Sequence, residues 1–351
     1  MDIYYAIFWS LFLLMCFDKY LSKIEWFKNL TISVLIIFLS IRYEVGNDYA
    51  EYYNQFEDFK VYGLESYFEP FFILIYSISP SFQYVIILTS ILSLVFIHKG
   101  INYFSSSRYF TALFIFFSVH FVILNIHLIR QGISVAIIFF AFKFLFEGNK
   151  KKFIIWCLIA SGFHSSSLVV LLLYPLYVYG LSTQRRRMII FIISILLFIT
   201  IPLVKPVVFN ILGSISITAR YASVYQGGVF SSSYGLSLGI LADIVVFLVF
   251  NFWYKNNKMS EFILILCSVS IFISLSFNDL AIFLRLGYYF KVMYVTLMAL
   301  LLTSQYRKLR IPLLILITLY GYNYIHTNLS QGNAILDYQT IFEDSIKFIT
   351  Y

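Results

Sequence analysis

Charge is scarce in this chain. Asp, Glu, Lys and Arg make up 12% of its 351 residues, against 61% hydrophobic residues and a mean hydropathy of +0.85. Such a balance excludes a soluble globular protein. Cysteine is equally sparse: Cys16, Cys157 and Cys267 all fall in apolar segments without metal-ligand spacing, so they read as packing residues. The chain has no P-loop, dinucleotide fingerprint, HExxH or GxSxG motif. It also lacks an Asp-x-Asp pair, which removes the metal-bound nucleotide-sugar arrangement of soluble glycosyltransferases. His98, His120, His127, His164 and His326 are scattered, so no metal site and no cofactor is expected. Chemistry in such a chain has to rest on charge and geometry.

What is present is apolar sequence from end to end. Runs lie near 3–17, 27–41, 82–98, 109–126, 128–147, 153–163, 167–181, 188–205, 236–254, 260–277, 281–303 and 311–326. Since a crossing needs about 20 apolar residues, the reading is an all-α polytopic membrane protein. It has about twelve transmembrane segments, short or re-entrant helices included. Residues 1–351 form a single membrane domain, and Ile3–Phe17 is read as a retained first helix because no basic region precedes it. The net charge of +8 sits mostly in short loops and argues for topology rather than for nucleic acid. Placing the basic loops (Lys19/Lys23/Lys28, Lys99/Arg108, Lys150–Lys152, Arg185–Arg187, Lys255/Lys258, Arg307/Lys308/Arg310) inside puts both termini outside. The outer side then carries loops 42–69 and 206–235 and a tail, 327–351.

Two places depart from simple crossing. Glu69-Pro70 opens a short apolar piece that ends at Ser79-Pro80, too short to span and therefore a half-helix or interfacial helix. The segment from Lys152 to Arg185 is basic at both ends, so it has to go out and return, with Gly162-Phe163-His164-Ser165-Ser166-Ser167 as its turn. Polar backbone at that depth needs protein or a water-filled cavity beside it. His164 is expected to line such a cavity.

The stretch His127-Leu128-Ile129-Arg130-Gln131-Gly132 heads the fifth apolar run. A cation there opposes the helix dipole and is costly in the bilayer, unless an anion joins it. Helix N–H groups and a guanidinium fork make a phosphate site; snorkelling to the interface is the plain alternative. His127 precedes Arg130 by three residues and is expected to share its face. Arg42, Arg220 and Arg285 fall on the same side by topology, where Lys and Arg are otherwise rare. Several bidentate donors together would suit a ligand with two phosphates and would favour pyrophosphate as a leaving group. Asp48 follows Gly46-Asn47 at the entry to a helix and reads as an N-cap, an arginine partner or a base toward a sugar hydroxyl. His164 has the better pKa for a base, with the Ser165–Ser167 hydroxyls as its structural alternative. Asp243 reads as a structural acid, and Lys143 and Lys291 as snorkelling. Tyrosines crowd the first outer loop; interface belts explain many of them, and aromatic faces with polar tips also suit sugar rings.

Four patches resemble the EpsG family of Wzy-like bacterial polysaccharide polymerases. They are Arg42-Tyr-Glu-Val-Gly46-Asn-Asp48-Tyr-Ala-Glu-Tyr52, His127-Leu-Ile-Arg130-Gln131, Gly162-Phe-His164-Ser165-Ser166, and Arg285 followed by Tyr288-Tyr289. Arg220-Tyr221 and Ile335-Leu-Asp337-Tyr338 are similar, less specifically, and the order of the patches spans nearly the whole chain. The resemblance implies a GT-C-like, metal-independent glycosyltransferase of O-antigen or related surface-polysaccharide (lipopolysaccharide) synthesis in the bacterial inner membrane. It would polymerise undecaprenyl pyrophosphate-linked oligosaccharide, which serves as both donor and acceptor, at the outer face. Its partners would be that lipid, the bilayer and a chain-length regulator, with no nucleic acid. Carried onto this chain, Arg130, Arg285, Arg220 and Arg42 would grip the pyrophosphate, and His164 or Asp48 would take the acceptor proton. Gln131, His127, Tyr52 and Tyr288 would support them. A flippase for the same lipid-linked glycan and an O-antigen ligase are the alternatives.

Overall fold

A backbone without water has to satisfy its own hydrogen bonds, so the apolar runs fold as helices. In this computed structural model the described residues are 2–63, 69–175, 183–214, 235–253, 258–278, 281–302, 307–330 and 338–342. The side chains at 2, 201–202, 204–214, 253, 281–283, 307–310 and 328–330 lie outside that description. The chain divides into two compact units, Met1–Leu168 with Met298–Tyr351, and Val169–Leu297.

In the first unit the helices are α1 (Asp2–Cys16), α2 (Asp18–Leu21), α3 (Glu25–Ser40), α4 (Tyr49–Tyr62), α5 (Pro70–Ile78), α6 (Phe82–Ser105), α7 (Tyr109–Phe116), α8 (Ile129–Phe146) and α9 (Lys150–Ser161). The helix Arg307–Ser330 joins them from later in the chain. α8 is apolar around most of its circumference, with Ile133, Val135, Ala136, Ile137, Ile138 and Phe139 all buried, and that is what places it at the centre. α6 and α9 flank it, α3 packs on α6, and α1 packs on α7. Asp18 is buried yet well satisfied. It accepts hydrogen bonds from the Phe110 and Thr111 amides and the Ser22 and Thr111 hydroxyls, capping the start of α7 from a distant segment. A two-residue antiparallel pair, β1 (Arg42–Tyr43) with β2 (Gln339–Thr340), ties the segment after α3 to the far end of the chain. Tyr338 stacks on Phe38 beside it, ring centroids 4.6 Å apart.

The second unit is built around Lys258–Ser276, which packs against Gln184–Ser214, Leu238–Trp253 and Ala281–Lys291. Lys291 does not snorkel as expected. Its Nζ lies 2.8 Å from Asp243 Oδ2, because an acid in an apolar helix is cheaper to keep charged with a partner than without one.

This is an all-α membrane protein. Three helical stretches among the described residues are long and apolar enough to cross a membrane: Phe82–His127, Ile129–Phe146 and Lys258–Ser276. Leu284–Lys291 and Met293–Leu301, bent by 46° where one straight run was expected, form a fourth if taken together. The two runs expected at 82–98 and 109–126 fall in the first of these stretches, interrupted by a 3₁₀ turn at Ser106–Arg108. Its last eleven residues, Phe117–His127, are a π-helix rather than an α-helix. Leu128 ends it with φ −101° and ψ 60°, its amide donating five residues back to the Ile123 carbonyl at 2.9 Å. π-helical turns are rare and concentrate at functional sites. This one delivers the chain to Arg130.

Candidate active site

The break at Leu128 changes the geometry expected for His127 and Arg130. They sit on different helices, so His127 does not share Arg130's face. Its Nδ1 accepts a hydrogen bond from the Asn47 amide at 3.1 Å. Around it the segment Arg42–Asp48 wraps the end of the π-helix, where unpaired carbonyls gather. Arg42 donates from Nη1 to the Asn125 carbonyl at 2.6 Å. Gly46, at φ +122°, lies so close to the Ile126 carbonyl that a side chain would collide. A cation at a helix C-terminus suits the dipole. With its side chain closed off at 1% exposure, Arg42 has no face left for an external phosphate. Burial pulls its pKa down to about 10, partly opposed by the surrounding tyrosines, so it remains a cation at neutral pH.

The expected half-helix is present as α5, with Glu69 at its N-cap position, Pro70 at its first turn and Ser79 at its end. The glycine of the 162–167 turn receives it. The Phe71 amide, one of the orphan donors of that helix start, bonds the Gly162 carbonyl at 3.0 Å. A Cβ on Gly162 would come within 2.3 Å of the Phe71 ring, so only glycine permits the approach. Phe163 then packs on Phe71 at 5.4 Å between ring centroids. This docking brings His164 to Glu69.

Glu69 makes no cap to its own helix. One carboxylate oxygen, Oε2, accepts from Arg130 Nη1 at 3.0 Å, and the other, Oε1, lies 2.6 Å from His164 Nδ1. A carboxylate on Nδ1 holds the proton there and leaves Nε2 with the lone pair, the arrangement a general base needs. The Arg130 guanidinium is further fixed over the rings of Tyr52 at 5.1 Å and Phe72 at 5.9 Å. Burial raises the Tyr52 pKa, and Arg130 draws it part of the way back. Tyr76 braces this wall, its hydroxyl donating to the Tyr52 carbonyl at 3.2 Å. Arg130 keeps 23% of its side chain exposed and His164 31%, so both reach the surface of an otherwise buried cluster. Arg130 Nε, by contrast, is buried without a hydrogen-bond partner among the described residues.

The structure thus joins Arg130 and His164, both singled out in the sequence, through a residue that was not, while Tyr52 packs on Arg130. Glu69 had been read only as a boundary before Pro70; an acid poised at the start of an apolar half-helix was the available signal. Asp48 holds the N-cap position of α4, as expected, but makes no capping bond. It lies close enough to Tyr52 to oppose its ionisation. Gln131 is buried beside Arg130 in α8. Arg285, exposed, and Tyr288, half-buried, belong to the second unit. Arg220, Tyr221, Asp279 and Asp337 lie outside the described residues. Of the expected four-arginine grip, Arg130 is the member whose contact with Glu69 is described. Among the described residues no group of three or more His, Cys, Asp or Glu side chains could hold a metal.

The sequence model of the EpsG family matches residues 25–340. No curated protein and no solved structure was found to match the chain.

Proposed function

Since this chain belongs to the EpsG family of Wzy-type polymerase-like glycosyltransferases, we propose that it extends a lipid-linked glycan from the cluster around Glu69. The donor is a glycan on undecaprenyl pyrophosphate, and the acceptor is a sugar hydroxyl of a lipid-linked repeat unit. The carrying observation is the Arg130–Glu69–His164 chain of contacts, assembled from three separate patches within the matched span. His164 Nε2 takes the acceptor proton while Glu69 steadies the imidazolium that forms. The freed oxygen attacks the anomeric carbon, the bond from that carbon to the pyrophosphate oxygen breaks, and undecaprenyl pyrophosphate departs with the electron pair. Arg130, anchored on one edge by Glu69, offers its exposed edge to the charge that develops on the leaving phosphate.

The family resemblance also assigns pyrophosphate contacts to Arg285 and Arg220, and a supporting place to Tyr288. Arg42, His127 and Gln131 are assigned to holding the π-helix end and the start of α8. Asp48 is a neighbour of the wall residue Tyr52 rather than the base. In this reading the cluster lies at the outer face of the bacterial inner membrane, with both termini on that side and a GT-C-like arrangement of about twelve crossings. The product is O-antigen or a related surface polysaccharide. No metal is required, and a chain-length regulator is the expected protein partner.

Deleting the gene is the direct cellular test. Surface glycan capped with a single repeat unit is expected; an unchanged ladder of chain lengths would contradict the proposal. Polymer of full length accumulating on its lipid carrier would mark a ligase instead.

A further inference from the structure

A concavity opens along α4 and the segment that precedes it. It measures about 430 Å³ and is lined mainly by Tyr43, Glu44, Asn47, Tyr49, Tyr53 and Asn54. That volume falls within the ~300–1,000 Å³ of small-molecule sites. Its lining includes no Lys or Arg, and its one ionisable carboxylate is Glu44. A phosphate would meet the Glu44 carboxylate there and no cationic side chain in the lining. Three tyrosine rings and two carboxamides instead offer flat apolar faces edged with donors and acceptors, which is what the two sides of a pyranose ring require.

The walls are held in place before any ligand arrives. Tyr43 lies in β1, paired with Gln339, and its ring meets Tyr49 edge-on at 6.3 Å. Tyr49 and Tyr53 stand edge-on to Phe82, at 5.1 and 5.5 Å. Asn47 is fixed through its amide to His127. Glu44 occupies a left-handed conformation at φ 55°, costly for a side chain of its size, and presents an exposed carboxylate at the rim. Tyr53, 44% exposed, leaves a ring available for stacking. The preceding residue of α4, Tyr52, faces Arg130. One helix therefore carries a residue packed on Arg130 and, next to it in the chain, a residue lining the cleft.

We propose that this cleft is a glycan subsite. It binds an uncharged or amine-bearing sugar ring of the lipid-linked substrate, separately from the pyrophosphate. The inference rests on the glycan-extending reading above for its choice of ligand, but it makes a claim that can fail alone. The probe is a phosphate-free, lipid-free oligosaccharide released by mild acid from the surface glycan of the source cell. Binding to the purified full-length protein in nanodiscs is followed by saturation-transfer NMR and by titration.

Wild-type protein is expected to bind the probe, Tyr53→Ala to bind it at least about tenfold more weakly, and Tyr53→Phe to stay within about threefold, since the ring face does the stacking. Arg130→Lys is expected to bind like wild type while extending glycan roughly ten- to a hundredfold less efficiently. Should Tyr53→Ala not fold, judged by its melting profile, Asn54→Leu at the cleft gives the same comparison and is expected to weaken binding likewise. No binding by wild-type protein, or equal binding by wild type and the folded cleft variant, overturns the subsite and leaves the extension chemistry standing. Binding that persists in a protein shown to lack extension activity supports the subsite and overturns only the reading above.

Discussion

Glu69 has two oxygens and spends each on a different partner. Because they are held by one carboxylate, the guanidinium of Arg130 and the imidazole of His164 keep a fixed relation while part of each side chain stays exposed. Lysine at 130 would keep the charge but lose the planar fork that can touch Glu69 and a phosphate oxygen together. A charge-assisted hydrogen bond is worth about 1.5–3 kcal/mol. Arg130→Lys is therefore expected to lower kcat/KM for chain extension by roughly ten- to a hundredfold, measured on purified protein with synthetic lipid pyrophosphate repeat units. His164→Ala removes the proton acceptor. Its loss is expected in kcat, by about 10²–10⁴-fold, with substrate binding largely retained. Unchanged single-turnover rates in that variant would remove His164 from the chemistry.

The elements around the cluster explain how those residues meet. α8 can begin where it does because Gly132 tucks beneath the end of the π-helix, where a Cβ would lie 1.7 Å from the Leu124 carbonyl oxygen. Gly132→Ala forces backbone apart and is expected to cost about 1–3 kcal/mol, read as a lower melting temperature in detergent. Arg42→Met tests the other side of the same junction. It strands the Asn125 carbonyl and is expected to cost about 1–3 kcal/mol, whereas a phosphate-binding role alone would leave the melting temperature unmoved.

Much of this was legible in sequence. The bounds of α5 follow from Glu69-Pro70 and Ser79-Pro80, the start of α8 from the polar head of its run, and the turn at 162–164 from a glycine between apolar limbs. The π-helix was not, since apolar periodicity over 109–126 does not distinguish helix types. Nor was Glu69's role. Its partners lie 61 and 95 residues away, and a separation of that kind leaves no local trace. The carbonyl partner of Arg42 was hidden for a related reason: an arginine after an apolar run looks alike whether its target is a ligand or a carbonyl of a distant helix.

At the scale of the whole molecule, orientation ties the chemistry to a compartment. The cleft residue Tyr53 and the basic start of α9 are proposed to face opposite sides of the membrane. In a Cys16→Ser background, where Cys157 and Cys267 are buried and slow to react, Tyr53→Cys should label with an impermeant maleimide added to intact spheroplasts. Lys151→Cys should label only after permeabilisation. The reverse pattern would place the cluster in the cytoplasm and rule out an externally assembled glycan. Pairing of β1 with β2 also makes residues 338–340 part of the site's scaffold, although they are more than 200 positions beyond α4 in the chain.

The most direct measurement is chain extension by purified protein in vesicles, comparing wild type with Glu69→Gln. The amide keeps the shape of the side chain and removes the charge that links arginine to histidine. Wild type is expected to build longer glycans on the lipid carrier, and Glu69→Gln to extend them at least about a hundredfold more slowly while its fold and substrate binding persist. Equal extension by the two proteins, or glycan crossing the vesicle membrane without any new bond, would contradict the account.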